Sequence, residues 1–243
     1  MPIQSVGCYV PGGLAKYPSS VIMSVMPAKV AGVKRIVVVS PPNSDGKINP
    51  LTVVASDICG ATEIYKTGGA QAIAALSIGT RSISKVDKIV GPGGSFVTMA
   101  KYLQSNQSSI DMLAGPTELG IIADDSANPK YVALDLISQS EHSKDTFCYL
   151  ITNSKKLAIS VNKILSDLLT TIKRRDFVET SLKRNGFIAI CKNRSDMIKI
   201  VNDLAPEHLQ IMTCNTQQIS SKIISPGLIL LGNQTPSAAS DYV

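Results

Sequence analysis

Gln139 and His142 stand one helical turn apart in the stretch Asn128 to Asp145, NPKYVALDLISQSEHSKD, so an amide oxygen and an imidazole nitrogen could converge on one cation. Asn128 is a capping residue and Pro129 suits the first helical position, which predicts a helix starting there. At helical spacing Ala133, Leu136, Ile137 and Ser140 share a small or apolar face that should point to the core. Asp135, Ser138, Gln139 and His142 fall in a narrow arc on the other, polar side. A glutamine and a histidine in such a place are more often simply solvated, so this pair alone leaves both readings open. The chain holds two histidines, and each directly follows a glutamate: Glu141-His142 and Glu207-His208. Histidine is the side chain best suited to moving a proton near neutral pH, and a neighbouring carboxylate tunes it. Glu207-His208 follows Pro206 at an expected helix-to-strand turn. Adjacent strand residues face opposite ways, so joint action needs that turn to bend them together. The plain alternative is a partly buried histidine at a strand start. Asp241 is, by sequence alone, one more exposed aspartate.

The elements that must position these residues alternate regularly. Strands are expected at 6–10, 35–39, 63–66, 86–90 and 110–113, with helices at 18–31, 49–59, 70–78 and 96–104. The βαβ rhythm predicts an α/β fold of two Rossmann-like, doubly wound lobes with mostly parallel sheets. Four glycine turns follow strands: Pro11-Gly12-Gly13, Thr67-Gly68-Gly69, Gly91-Pro92-Gly93-Gly94 and Ala114-Gly115-Pro116. A single turn of this kind needs no ligand to explain it, but four in succession at strand carboxyl ends favour a ligand crevice. None is a Walker loop or a GxGxxG, and Ser40-Pro41-Pro42 offers no acid for a ribose, so any nucleotide is held in another way. Further strands are expected at 119–123, 146–152, 186–191, 209–213 and 227–231, with helices at 155–172 and 195–204. The division falls at Glu118–Leu119, giving lobes of 1–118 and 119–243.

Composition bounds the function. Of 243 residues, 44% are hydrophobic and 17% charged, ordinary for a globular protein. The net charge of +6 is scattered; Lys155-Lys156 and Lys173-Arg174-Arg175 read as solvated helix surface. Aromatics are 5% with no tryptophan, which argues against nucleic acid. No apolar run approaches bilayer length and no signal peptide follows Met1, so neither a membrane nor export is expected. The five cysteines are far apart, without a CxxC pair, and suit a reducing cytoplasm. Any zinc would need histidine, carboxylate and amide ligands.

Eight segments carry a resemblance: YVPGGLAKYPSS (9–20), PAKVAGV (27–33), EIYKTGGAQAIAAL (63–76), KVDKIVGPGG (85–94), IDMLAGPTE (110–118), SQSEH (138–142), LAPEHL (204–209) and TPSAASDY (235–242). In this order and across the whole chain, the sequence resembles the histidinol dehydrogenase family. The resemblance implies a zinc enzyme that oxidises L-histidinol to L-histidine through the aldehyde, reducing two NAD. It implies zinc ligands at Gln139, His142 and Asp241, holding the substrate's amine and imidazole. It makes His208 the acid/base that takes the alcohol proton, Glu207 the activator of water, and Thr117 a substrate-contacting hydroxyl. For NAD it points to Tyr9, Gln71 and Gly94, where the family pattern carries asparagine instead of Gly94.

Family members extend beyond this chain in both directions. By resemblance a substrate-binding histidine and a glutamate follow Asp241, and a fourth zinc ligand comes from the partner of an intertwined homodimer with a shared active site. The chain is therefore expected to be a fragment or partial gene product, with very low turnover alone and an apolar patch on its second lobe. A non-catalytic ligand-binding remnant and a zinc hydrolase using Glu207 are the rival readings.

Overall fold

The run RIVVVS at Arg35–Ser40 is β-branched at four successive positions, and all four side chains are buried. Only a strand covered on both faces hides such a run, which is the condition of a parallel sheet between helices. The computed structural model describes residues 1–12, 17–113 and 115–238. It divides into two units, Met1–Gly115 and Pro116–Val243. The expected break at Glu118–Leu119 falls just inside the first strand of the second unit.

In the first unit the order is β1 (Ser5–Tyr9), α1 (Pro18–Val30), β2 (Arg35–Ser40), α2 (Pro50–Cys59), β3 (Glu63–Lys66), α3 (Gly69–Ile78), β4 (Lys88–Val90), α4 (Ser95–Gln104) and β5 (Ser109–Ile110). The second unit runs β6 (Glu118–Ala123), α5 (Pro129–Ser140), β7 (Phe147–Thr152), α6 (Lys155–Leu168), α7 (Arg175–Asn185), β8 (Phe187–Ile190), α8 (Arg194–Leu204), β9 (His208–Met212), α9 (Thr216–Ser220) and β10 (Leu228–Leu231). The sheets are ordered β3-β2-β1-β4-β5 and β10-β9-β6-β7-β8, and every pairing is parallel. Counted within each unit, both are the 3-2-1-4-5 order of a doubly wound Rossmann-like sheet.

Period-two alternation sorts the side chains of each sheet to two cores. Val37 and Val39 of β2 pack with Ile73, Leu76 and Val97, while Ile36 and Val38 pack with Val21, Val25 and Cys59. In β6, Leu119, Ile121 and Ala123 meet Leu136 and Val161 on one face; Ile122 meets Met197 and Val201 on the other. Each fully buried side chain of this size stabilises the fold by about 1.5–3 kcal/mol.

Three local expectations are corrected. The strand expected at 110–113 is only Ser109–Ile110, because the Asp111 carboxylate accepts N–H bonds from Gly91 and Met112 and takes the chain off the ladder. The helix expected to Ile172 stops at Leu168; the hydroxyls of Thr170 and Thr171 bond back to the carbonyls of Asp167 and Leu168. Beyond it lies α7, which was not expected because its apolar stripe is thin: Val178 and Ser181 are buried, and Phe177 is instead covered by the cations of Arg174 and Lys144. Arg174 is thus packed on a ring rather than merely solvated.

Helix α5 opens as its sequence predicts. The Asn128 side chain accepts the N–H of Lys130, and Pro129 occupies the first turn. Asn128 also donates its own N–H to Asn233. Replacing Asn128 with alanine should lower stability by about 1 kcal/mol, seen as a lower urea midpoint with unchanged slope.

Candidate functional site

A parallel sheet has two unlike edges, and in the first unit the residues in question gather at the carboxyl edge. Tyr9 ends β1, Gln71 lies in the first turn of α3 after β3, and Gly94 caps α4 after β4. Tyr9 is buried and its hydroxyl accepts the N–H of Gly69 (3.1 Å), tying the end of β1 to the start of α3. The turns are close-packed: a Cβ on Gly68 would come within 2.5 Å of Cβ of Pro41. Gly94 is different. It is exposed, its φ of −67° and ψ of 176° suit any residue, and nothing lies within 4 Å of a Cβ built there. Neighbours β1 and β4 flank the point where strand order reverses, the usual ligand crevice of an open α/β sheet.

In the second unit the residues gather at the amino edge. Thr117 precedes β6, Glu207 and His208 open β9, and Gln139 and His142 lie at the C-terminal end of α5, which returns the chain to the start of β7. His208 pairs with Leu119 on one side and Leu228 on the other. Its Nδ1 lies 3.2 Å from the Glu118 carbonyl. A carbonyl only accepts, so Nδ1 is the donor here, and in the neutral ring the lone pair is on Nε2. The same logic fixes His142, whose Nδ1 lies 3.1 Å from the Gln139 carbonyl. His142 is exposed, whereas Gln139 is 6% exposed.

The polar arc drawn from helical periodicity is therefore corrected: Asp135 and Gln139 are both buried. The chain after β10 reaches Asp135. Ser237 donates its N–H (3.2 Å) and hydroxyl (3.3 Å) to Asp135 Oδ1, and Gln210 in β9 donates Nε2–H to the Thr235 carbonyl (2.7 Å). Burial pushes the Asp135 carboxyl above the usual aspartate range, against hydrogen bonds from Gln210 and Ser237 that pull it down. The Gln210 Oε1 is buried and unpaired among the described residues. Asp241 lies outside the described residues.

Sequence reasoning missed Glu118. Its carboxylate accepts the Glu207 N–H (3.3 Å), while the Glu207 carboxylate accepts the Glu118 N–H (3.3 Å) and lies 3.6 Å from His208 Nδ1. This exchange depends on β6 pairing with β9 across some ninety positions (|i−j| = 89), so no local signal could reveal it. Just upstream, Ala205 sits in the left-handed region (φ 46°, ψ 57°), the one non-glycine residue with positive φ among those described. Held there at a cost of about 1–2 kcal/mol, it turns α8 sharply into Pro206, Glu207 and His208.

Among the described residues no group of three or more His, Cys, Asp or Glu side chains is placed to hold a metal ion. The expected ligand set includes an amide, which such a group does not count, and Asp241. The residues at the end of α5 are chemically suited to a metal: a glutamine amide oxygen and an imidazole whose Nδ1 is turned to the Gln139 backbone carbonyl, which in the neutral ring puts the lone pair on Nε2. Those are donors a zinc ion accepts.

Two parallel doubly wound units of this kind define an α/β protein whose fold is shared with an acetylating aldehyde dehydrogenase from Geobacillus thermoglucosidasius (TM-score 0.61, 14% identity, 100% of this chain and 67% of that one). The chain belongs to the histidinol dehydrogenase family, whose model matches residues 1–243. It is 50% identical over 242 residues to a histidinol dehydrogenase of Caldanaerobacter subterraneus and 46% identical over 241 residues to one of Oceanobacillus iheyensis. These matches take in 100% and 99% of this chain and 56% of each relative. A crystal structure of histidinol dehydrogenase from Elizabethkingia anophelis superposes on the whole chain with a TM-score of 0.94 at 39% identity, and the match covers 56% of that protein. The chain thus spans little more than half the length of the relatives it matches.

With two histidines in the chain, nitrogen-15 NMR reads both without crowding. At pH 8 the His208 spectrum should show a protonated Nδ1 and a bare Nε2; a dominant Nε2–H tautomer would contradict the Glu118 bond.

Proposed function

We propose that this chain carries the central part of an enzyme that oxidises L-histidinol to L-histidine through the aldehyde, in two steps that each reduce one NAD. The observation that carries this reading is His208: its Nδ1, 3.2 Å from the Glu118 carbonyl and 3.6 Å from the Glu207 carboxylate, is the side of the ring held by the protein, which in the neutral ring leaves Nε2 as the base. The family match along the whole chain supplies the substrate.

In the first step His208 Nε2 takes the alcohol proton. NAD, which accepts a hydride when bound, would be held at the first unit by Tyr9, Gln71 and Gly94. In the second step Glu207 takes a proton from water as the water oxygen adds to the aldehyde carbon, and protonated His208 returns its proton to the aldehyde oxygen; the hydrate then gives a hydroxyl proton back to His208 as its oxidation draws on a second NAD. Gln139, His142 and Asp241 would hold zinc, with a further ligand from the partner subunit of a homodimer. When bound, the metal supplies a fixed positive charge for the substrate's amine and imidazole. The Thr117 hydroxyl, at the same edge, contacts the substrate. Five free thiols suit a cytoplasmic setting.

Zinc titration of the purified chain against a chelator tests the ligand set. Gln139→Ala and His142→Ala should each weaken zinc by at least about a hundredfold, with histidinol binding lost in parallel. Undiminished zinc affinity in the double variant would overturn the assignment. Gly94→Asn tests the cofactor side: the open space at this position predicts no loss of melting temperature. One regained hydrogen bond should tighten NAD about fivefold in calorimetry.

A further inference from the structure

The carboxyl edge of the first sheet holds an ion pair, a buried lysine with an aspartate open to solvent, that the proposed chemistry does not use. Lys101, on α4, is 3% exposed, and its ammonium meets the Asp111 carboxylate just past β5. A lysine is almost never buried this deeply without a reason. Besides the Met112 N–H that Asp111 also accepts, both side chains reach one residue, Gly91. Lys101 Nζ donates to the Gly91 carbonyl (3.1 Å), and Asp111 Oδ2 accepts the Gly91 N–H (2.7 Å). Gly91 is the first residue of the turn that ends at Gly94, and it needs holding. Its φ is +107°, and a Cβ there would lie 2.2 Å from the Tyr9 carbonyl oxygen. Both polar groups of this residue are thereby taken by side chains from the two elements that follow the turn. An ordinary βα turn leaves those groups to water.

We infer that Lys101 and Asp111 are positioning residues for the NAD site: together they fix the path of the turn from Gly91 to Gly94 against Tyr9, and so set the surface the cofactor meets. The inference rests on the NAD reading given above and assigns neither residue a contact with the cofactor. A turn displaced by even about 1 Å loses much of its binding geometry.

The test measures NAD affinity of the purified chain by calorimetry, beside thermal melting and amide hydrogen exchange. Removing Asp111 alone leaves the buried Lys101 ammonium unpaired and can unfold the protein. The decisive variant is therefore the double Lys101→Met, Asp111→Ala, which removes both charges and both contacts to Gly91; Lys101→Arg is the conservative control. Expected are a folded double variant with faster exchange at Gly91 to Val97, NAD weakened about tenfold or more, and near-normal affinity for Lys101→Arg. A purely structural pair would lower melting temperature and leave NAD affinity unchanged, and that outcome overturns the inference while the NAD reading stands. A wild-type chain that binds no NAD overturns both.

Discussion

Parallel pairing is the constraint from which the rest of the structure follows. Because every pairing in both sheets is parallel, each connection must carry the chain back across the sheet. Helices do this with their backbone groups satisfied. The result is a sheet whose two edges differ chemically: strands run out into turns at one, and helices deliver the chain to strand starts at the other. In the first unit the glycine turns and Tyr9 lie at the run-out edge. In the second, Gln139, His142, Thr117, Glu207 and His208 lie at the delivery edge. One strand order, used twice, therefore presents two kinds of surface.

In the second unit positioning is done by polar groups that the core would otherwise exclude. Asp135 within α5 and Gln210 within β9 are buried and bonded to the segment Thr235 to Ser237, and at the delivery edge Glu118 exchanges hydrogen bonds with Glu207 where β6 meets β9. Burying a carboxyl is unfavourable, as the upward shift of Asp135 registers. Ala205, left-handed without being glycine, adds a local cost at the same edge. Such costs are absorbed by the apolar layers on both faces of β6 and β9.

Much of the fold was legible because its signals are local. The β-branched run of β2, the cap at Asn128, and Gly60 in the left-handed region after α2 each act within a few residues. What escaped depends on contacts between distant residues. Asp111 cuts β5 short by reaching Gly91. The thin apolar stripe of α7 becomes a helix through cations over Phe177 and through Val178 in the core. The polarity of Asp135 pointed outward by periodicity, yet the chain following β10 lies on it. Periodicity reports how a helix is patterned; it cannot report what returns from a hundred residues away to lie on it.

Gly94 shows how far turn geometry and ligand contact are separable. The backbone at this position (φ −67°, ψ 176°) is one that glycine or any other residue adopts without strain. The path of the turn is set three residues earlier, where Gly91 is the residue that steric contact with Tyr9 requires and where Lys101 and Asp111 hold both of its backbone groups. A change at Gly94 therefore alters the hydrogen bonds available to a ligand and leaves the shape of the turn intact. A change at Gly91 would do the reverse, removing the shape on which any contact from Gly94 depends.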